Sequence, residues 1–263
     1  MNISFLISAA FLPLLSFFLS KKRQFAVVLF TQLVVAFYTV VTAVGALGFY
    51  STELFSNGSG SVAIDPLSFL FIAAINLVCV LTTVYSKGYL APYMEKKNRS
   101  ELAIHGAALV WLQVSMILVV TLREGFAFLA AWEAMTLASF VLVMFEAEKH
   151  ETFKVGISYL IQMHVGFFLI LAGFVVAYVK TRIFGFDGLS SYFATNNGVA
   201  VFLLFFLGFG LKAGFVPLHT WLPNAHPAAP SHVSGAMSGI MIKMGIYGLL
   251  RVLFAMHSQY LEV

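Results

Sequence analysis

The sequence predicts an all-α fold, a polytopic bundle of transmembrane helices, and three observations carry that prediction. Of its 263 residues 60% are hydrophobic and only 10% charged, whereas a soluble domain carries about 25% charge. The mean hydropathy is +0.93. Apolar runs of about 18 residues or more recur along the chain, long enough to cross a bilayer as helices. Cys79 is the single cysteine, so no intrachain disulfide, thiolate-bound iron–sulfur cluster or structural zinc can be built. The formal net charge of +4 reflects membrane topology, as the cation positions show, and not a nucleic-acid partner.

At about 20 apolar residues per crossing, eight spans are expected at 3–20, 25–50, 67–86, 103–122, 125–145, 155–179, 198–216 and 233–256. The first has no charged segment before it and is followed by Lys21, Lys22 and Arg23, so it reads as a retained anchor and not as a cleaved leader. Alternate loops place nine cations on one side: Lys21, Lys22, Arg23, Lys87, Lys96, Lys97, Arg99, Lys149 and Lys154. The other side has four, namely Arg123, Lys180, Arg182 and Arg251. The richer side is expected in the cytoplasm, with the N-terminus outside, in an inner (plasma) membrane. The outer loop 51–66 holds the Ser/Gly-rich stretch 56–61, whose Asn57-Gly58-Ser59 fits a glycosylation sequon by form alone. The outer stretch 181–197 has the length for a short interfacial helix.

Two cations, Lys212 and Lys243, fall inside apolar segments. A charge at mid-bilayer costs ~2.5–3.5 kcal/mol on insertion scales, so each such residue is a functional hypothesis with an expected partner. Glu133 lies roughly 12 Å into the fifth span by helical rise, too deep for a carboxylate to reach water. Lys212 stands among Gly208, Gly210, Gly214 and Pro217. Relaxed glycines and a proline without an N–H predict a break in the seventh helix, the device that places ion sites in secondary transporters. Leu218, Trp221 and Leu222 predict a second half-helix beyond it. Lys243 is ten residues into the eighth span; on a regular helix Gly239, Lys243 and Tyr247 share a face, which turns the ammonium into the bundle. His164 lies mid-way along the sixth span with Ser158 and Gln162 beside it, fitting either a core histidine or a proton relay, and His105 reads as structural. A close Glu and Lys favour each other's charged forms while burial opposes both. Separating such partners makes the lysine release its proton, which moves protons without a redox group. His219, His226 and His232 around loop 217–231 have no carboxylate companion, so no metal site is expected. The glycines 208, 210 and 214 follow no strand and do not have dinucleotide-fingerprint spacing.

These residues also carry a resemblance. Leu211-Lys212-Ala213-Gly214, Pro217-Leu218-His219-Thr220-Trp221-Leu222-Pro223, Ala228-Ala229-Pro230-Ser231 and Val233-Ser234-Gly235 form one part of the pattern. Lys243-Met244-Gly245-Ile246-Tyr247-Gly248-Leu249-Leu250-Arg251 completes it, and Trp132 to Ser139 and Asp65 to Ser68 agree with it. The pattern resembles the antiporter-like membrane subunits of the respiratory complex I superfamily, which includes multisubunit sodium/proton antiporters and membrane-bound [NiFe] hydrogenases. The wording around Lys243 leans toward the hydrogenase-4 component B and formate hydrogenlyase subunit 3 branch.

The resemblance implies that Glu133 pairs with Lys212, that Lys243 links the pair to a buried polar axis, and that His164 is a possible proton donor. It implies translocation of protons or sodium ions while peripheral redox subunits transfer electrons, with no cofactor on this chain and no catalysis by it. Other membrane subunits, the lipid bilayer and the ion are the implied partners, and nucleic acid is not. The family carries two inverted five-helix repeats, and this sequence stops just after the eighth helix. It is therefore expected to be a fragment or a split subunit, with helices one to three in 1–102 and one translocation repeat in 103–263. Two rivals remain: a sodium/proton antiporter module without redox partners, and a scaffold bundle whose buried charges only fix packing.

Overall fold

In the computed structural model, which describes residues 1–49 and 62–257, helices follow one another along the chain. They are α1 (Ile3–Phe11), α2 (Lys21–Phe49), α3 (Pro66–Tyr89), α4 (Tyr93–Lys96), α5 (Arg99–Thr121) and α6 (Gly125–Val143). After these come α7 (His150–Thr181), α8 (Phe186–Thr195), α9 (Val199–Ala213), α10 (Leu222–Ala228), α11 (Ser231–Ala236) and α12 (Ile242–His257). A π turn, Met237–Met241, joins α11 to α12. The stretch 56–61 and its sequon lie outside the described residues.

Each expected span has a helix at its place. Six are long and apolar enough to cross a membrane, and the helices 3–18 and Val199–Ala213 are shorter. Pro13 accounts for the first: it lacks the N–H an α-helix needs, and the chain continues as a 3₁₀ turn over Leu12–Phe18. That turn rises about 2 Å per residue and so recovers length. Within 181–197 the expected short helix is α8, which buries Phe186, Leu189, Tyr192 and Phe193 and packs against α7 and α12.

The core is built around α5, apolar on every side and buried along nearly its whole length between α2, α3 and α6. A capping box starts it: Asn98 N–H donates to Glu101 Oε2 at 2.6 Å. By contrast α2 and α7 expose Phe30, Phe37, Ile161 and Phe168, an outer surface stable in hydrocarbon and not in water. The chain is a multi-pass membrane protein.

One end of the bundle is closed by Asp65, the N-cap of α3, whose Oδ1 accepts from Ser68 N–H at 2.8 Å. Arg251 of α12 grips the same carboxylate through two nitrogens, one at 2.7 Å, and Arg123 adds a third contact at 2.9 Å. At the other end Lys21 donates to the Met94 and Lys97 carbonyls, both at 2.7 Å, while Lys97 pairs with Glu101 and Glu148.

Two close approaches fix α9. A Cβ on Gly208 would meet Gly166 O of α7 at 2.8 Å, and one on Gly245 of α12 would meet Phe209 O at 2.5 Å. Small residues let backbones touch where lipid offers no hydrophobic drive. Gly208 was expected to loosen the seventh helix; it lies inside α9 and serves this packing instead. Gly245→Leu should therefore force α12 off α9, a strain of ~1–3 kcal/mol or more. A lower unfolding temperature in detergent is the expected reading, and an unchanged one counts against this packing account.

Candidate functional site

The sequence around Lys212 ends a helix in mid-protein. Gly214 takes a left-handed conformation, φ 69° and ψ 37°, which a residue with a Cβ adopts at a cost. The N–H of Phe215 then reaches Gly210 O at 3.0 Å, closing the terminus. Trp221 Nε1–H donates to Leu211 O at 2.8 Å and satisfies another terminal carbonyl. Pro217 follows in the connecting turns, and the second half-helix is the short α10. Gly210 stays within α9, close to Leu218 and Phe215. Thr220 Oγ1–H donates to Gln162 Oε1 at 2.8 Å, tying the segment after the break to α7.

Lys212, in the last turn of α9, is 2% exposed. Its ammonium donates to Tyr159 OH of α7 at 3.2 Å, reaches Thr136 Oγ1 of α6 at 3.5 Å and lies 5.7 Å from the Tyr159 ring centre. Ser139 Oγ is 2.7 Å from Tyr159 OH and donates to Thr136 O at 2.8 Å. With Tyr159 donating to Ser139, the chain runs in one direction from the Lys212 ammonium through the Tyr159 and Ser139 hydroxyls to the Thr136 backbone carbonyl. Met241 Sδ, in the π turn, is 3.9 Å from Tyr159 OH.

Glu133 stands one helical turn before Thr136 on α6, so the two share a face. Its contact is His164 of α7, Oε1 to Nε2 at 3.1 Å. The direct Glu133–Lys212 ion pair expected from the resemblance is not formed: the lysine's partners are hydroxyls. The physical reason is spacing, since Thr136, not Glu133, occupies the turn of α6 level with the α9 terminus. His164 Nδ1 is 2.9 Å from Leu160 O. A carbonyl only accepts, so Nδ1 carries a proton. The contact with Glu133 then needs one proton more, on the carboxyl oxygen or on Nε2, and the two groups hold it jointly. Glu133 Oε2 is buried without a protein partner. The side chains keep 23% and 37% of their surface, so this pair sits at an opening of the chain and is less deeply placed than Lys212.

Lys243 departs from the sequence reading. Gly239 and Lys243 are both exposed, so the face they were expected to turn into the bundle looks outward; a Cβ on Gly239 would meet the edge of Val78 of α3. The Lys243 ammonium bends back to the Ser238 carbonyl. Tyr247 stays buried, donating to Val120 O at 2.8 Å and accepting from Arg251 Nε at 2.7 Å. The hydroxyls of Thr136, Ser139 and Tyr159 are cluster members that sequence reasoning missed. Their signal was positional: Thr136 and Ser139 fall three and six residues after Glu133. His226 Nδ1 lies 2.6 Å from Ser234 Oγ, and groups of three or more metal-ligating side chains are absent among the described residues.

Comparison with known proteins agrees with this architecture. The family described as "NADH:quinone oxidoreductase/Mrp antiporter, TM" matches residues 124–263. Hydrogenase-4 component B of Escherichia coli (strain K12) is 35% identical over 201 residues, covering 76% of this chain and 29% of that protein. NADH-quinone oxidoreductase subunit M of Rickettsia conorii is 26% identical over 222 residues, covering 77% of this chain and 42% of the relative. The chain thus spans less than half the length of these relatives. A chain of the membrane-bound sulfane sulfur reductase, an archaeal respiratory membrane complex, shares the fold over 99% of this chain and 54% of its own, with a TM-score of 0.77 and 19% identity.

Proposed function

The chain belongs to the NADH:quinone oxidoreductase/Mrp antiporter transmembrane family, and from that premise we propose that it is an ion-translocating part of a complex-I-like or group 4 hydrogenase-like respiratory assembly. Protons, or sodium ions, move through it while peripheral partner subunits transfer electrons. The observation that carries this reading is Lys212: an ammonium 2% exposed and held by neutral hydroxyls, one of them Thr136, a helical turn from the Glu133–His164 contact. Lys212 reaches Thr136, one turn of α6 from Glu133, so a change of charge on the Glu133–His164 pair is felt at the ammonium. Lys212 therefore takes up or gives away a proton as the Glu133–His164 pair changes state. Lysine and histidine carry protons and not sodium, which favours the proton.

Lys243 extends the same reading outward. An ammonium half-way along an apolar helix would cost ~2.5–3.5 kcal/mol against lipid, so its face is covered in the assembly, where it relays the proton to a neighbouring polar group. Residues 103–263 are the translocating unit in this reading, and α1, α2 and α3 pack against its α5. In this orientation the Lys21–Lys97 end faces the cytoplasm, with the N-terminus outside an inner (plasma) membrane. Glu133→Gln tests the proposal, because glutamine keeps the shape and cannot take up or release a proton. Vesicles containing the whole assembly should transfer electrons and fail to build a proton gradient. Normal pumping overturns the reading. Impaired assembly with normal flux per complex would favour the scaffold rival, and antiport without any electron donor would favour the antiporter without redox partners.

A further inference from the structure

At the end where Lys21 and Lys97 lie, a cavity of about 70 Å³ opens between α2, α3 and α5. Lys21 and Lys87 stand at its rim, and Gln24, Thr83, Ser86 and His105 make the polar part of an otherwise apolar wall. Gln24 Oε1, Thr83 Oγ1 and His105 Nδ1 are buried and have no protein partner. Buried polar atoms are satisfied by protein or by water, and the cavity exceeds the roughly 10–15 Å³ that a water needs. The three partnerless atoms give water a place on the polar side of this space, beside the His105 ring.

His105 does not stand alone. Its Nε2 lies 2.7 Å from Nε2 of His232, in the first turn of α11, and both side chains are 2% exposed. Between two neutral rings that contact holds one proton, so one imidazole has a bare Nδ1 and the other an Nδ1–H; His232 Nδ1 is also buried without a protein partner. Around the pair stand Tyr89 of α3, its ring 5.2 Å from His232, and Tyr93 of α4, bonded to Glu146. Phe145 packs on His105 at 4.5 Å. Lys97 lies over the Phe145 ring at 5.2 Å, with its charge met by Glu101 and Glu148.

We propose that the His105–His232 pair is a proton-uptake station, filled through the α2–α3–α5 cavity and delivering toward the α10–α11 side of the translocation cluster. The proposal rests on the proton-translocating reading above and assigns it a route. In the step, a hydrated proton entering the cavity passes to His105 Nδ1 and leaves neutral water behind. The shared proton passes from His105 Nε2 to His232 Nε2, and the proton on His232 Nδ1 is released to a water at that atom, which has no protein partner. One proton goes in, one comes out, and both rings end in the opposite tautomer. Ring reorientation resets them, so the station passes protons one at a time.

The test uses the whole assembly in vesicles, with Lys212→Ala run alongside. His105→Gln, His232→Gln and the cavity-filling Ser86→Leu should each lower proton translocation on the order of 100-fold, and free imidazole should restore flux to His105→Ala, which a purely structural histidine would not allow. If Lys212→Ala stops pumping while His105→Gln, His232→Gln and Ser86→Leu all pump normally, the uptake route is overturned and the function stands. If Lys212→Ala pumps normally, the functional reading itself fails. Should a variant not assemble, Ser86→Cys in a Cys79→Ser background decides: labelling by a membrane-impermeant thiol reagent from one side supports the cavity, and no labelling from either side overturns it.

Discussion

Lys212→Ala is expected to stop ion translocation in the intact assembly, by on the order of 100-fold or more, while the chain still folds. The two effects separate because of what surrounds the ammonium. Its contacts are the hydroxyls of Tyr159 and Thr136, so shortening it leaves no buried countercharge, the event that makes broken ion pairs cost ~3–5 kcal/mol. What remains is a cavity, and removal of a desolvated charge offsets part of its cost. Lys212→Arg sharpens the prediction. A guanidinium keeps the positive charge and does not give up its proton, so a site that needs only charge would work with arginine, and one that passes protons would not. Pumping rates of the two variants in sealed vesicles, with electron transfer followed in parallel, read the difference. Recovery in Lys212→Arg would refute the proton-release step.

Asp65→Asn carries the largest expected effect on stability. Asp65 caps α3 and receives Arg251 from 186 positions away as well as Arg123; Arg251 is 7% exposed. Neutralising the carboxylate strands a buried guanidinium, at ~3–5 kcal/mol. Burial alone would raise the Asp65 carboxyl, yet Arg251, and then Arg123 and the Ser68 N–H, more than offset it and hold it well below the usual carboxylate range. A group whose folded value is depressed stabilises above its unfolded value and loses that contribution as the pH falls toward the folded one. Stability should therefore be flat above about pH 4 and decline below it. Thermal unfolding in detergent across that range should show the decline in the parent chain and its absence, from a lower starting point, in Asp65→Asn. Equal stability of the two near neutral pH would contradict the role given to this cluster.

The places of the helices were legible because crossing a bilayer demands only length and apolarity, both local properties. So was the presence of Glu133, His164 and Lys212, since ionisable groups in oil announce themselves. Their pairing was not. Whether Glu133 meets Lys212 or His164 depends on how far α9 slides along α6 and α7, which Gly166 and Gly208 fix by backbone contact. Lys243 was misplaced because the stripe Gly239, Lys243 and Tyr247 was read as wholly inward, whereas Tyr247 is buried and Gly239 and Lys243 are exposed. His105 and His232, 127 positions apart, each look like lone histidines until the fold brings their rings together. Asp65-Pro66 did carry a local signal, an N-cap followed by proline at the first helical position, though its partner Arg251 lies at the far end of the chain.

The account's central claim is that a proton held jointly by Glu133 and His164 changes hands as ions move. Infrared difference spectroscopy of the assembly during turnover tests it most directly, by following the carbonyl stretch of a protonated carboxyl. A band that appears and decays with each cycle, and is missing from Glu133→Gln, is the predicted result. A Glu133 that keeps one protonation state throughout pumping would contradict the claim.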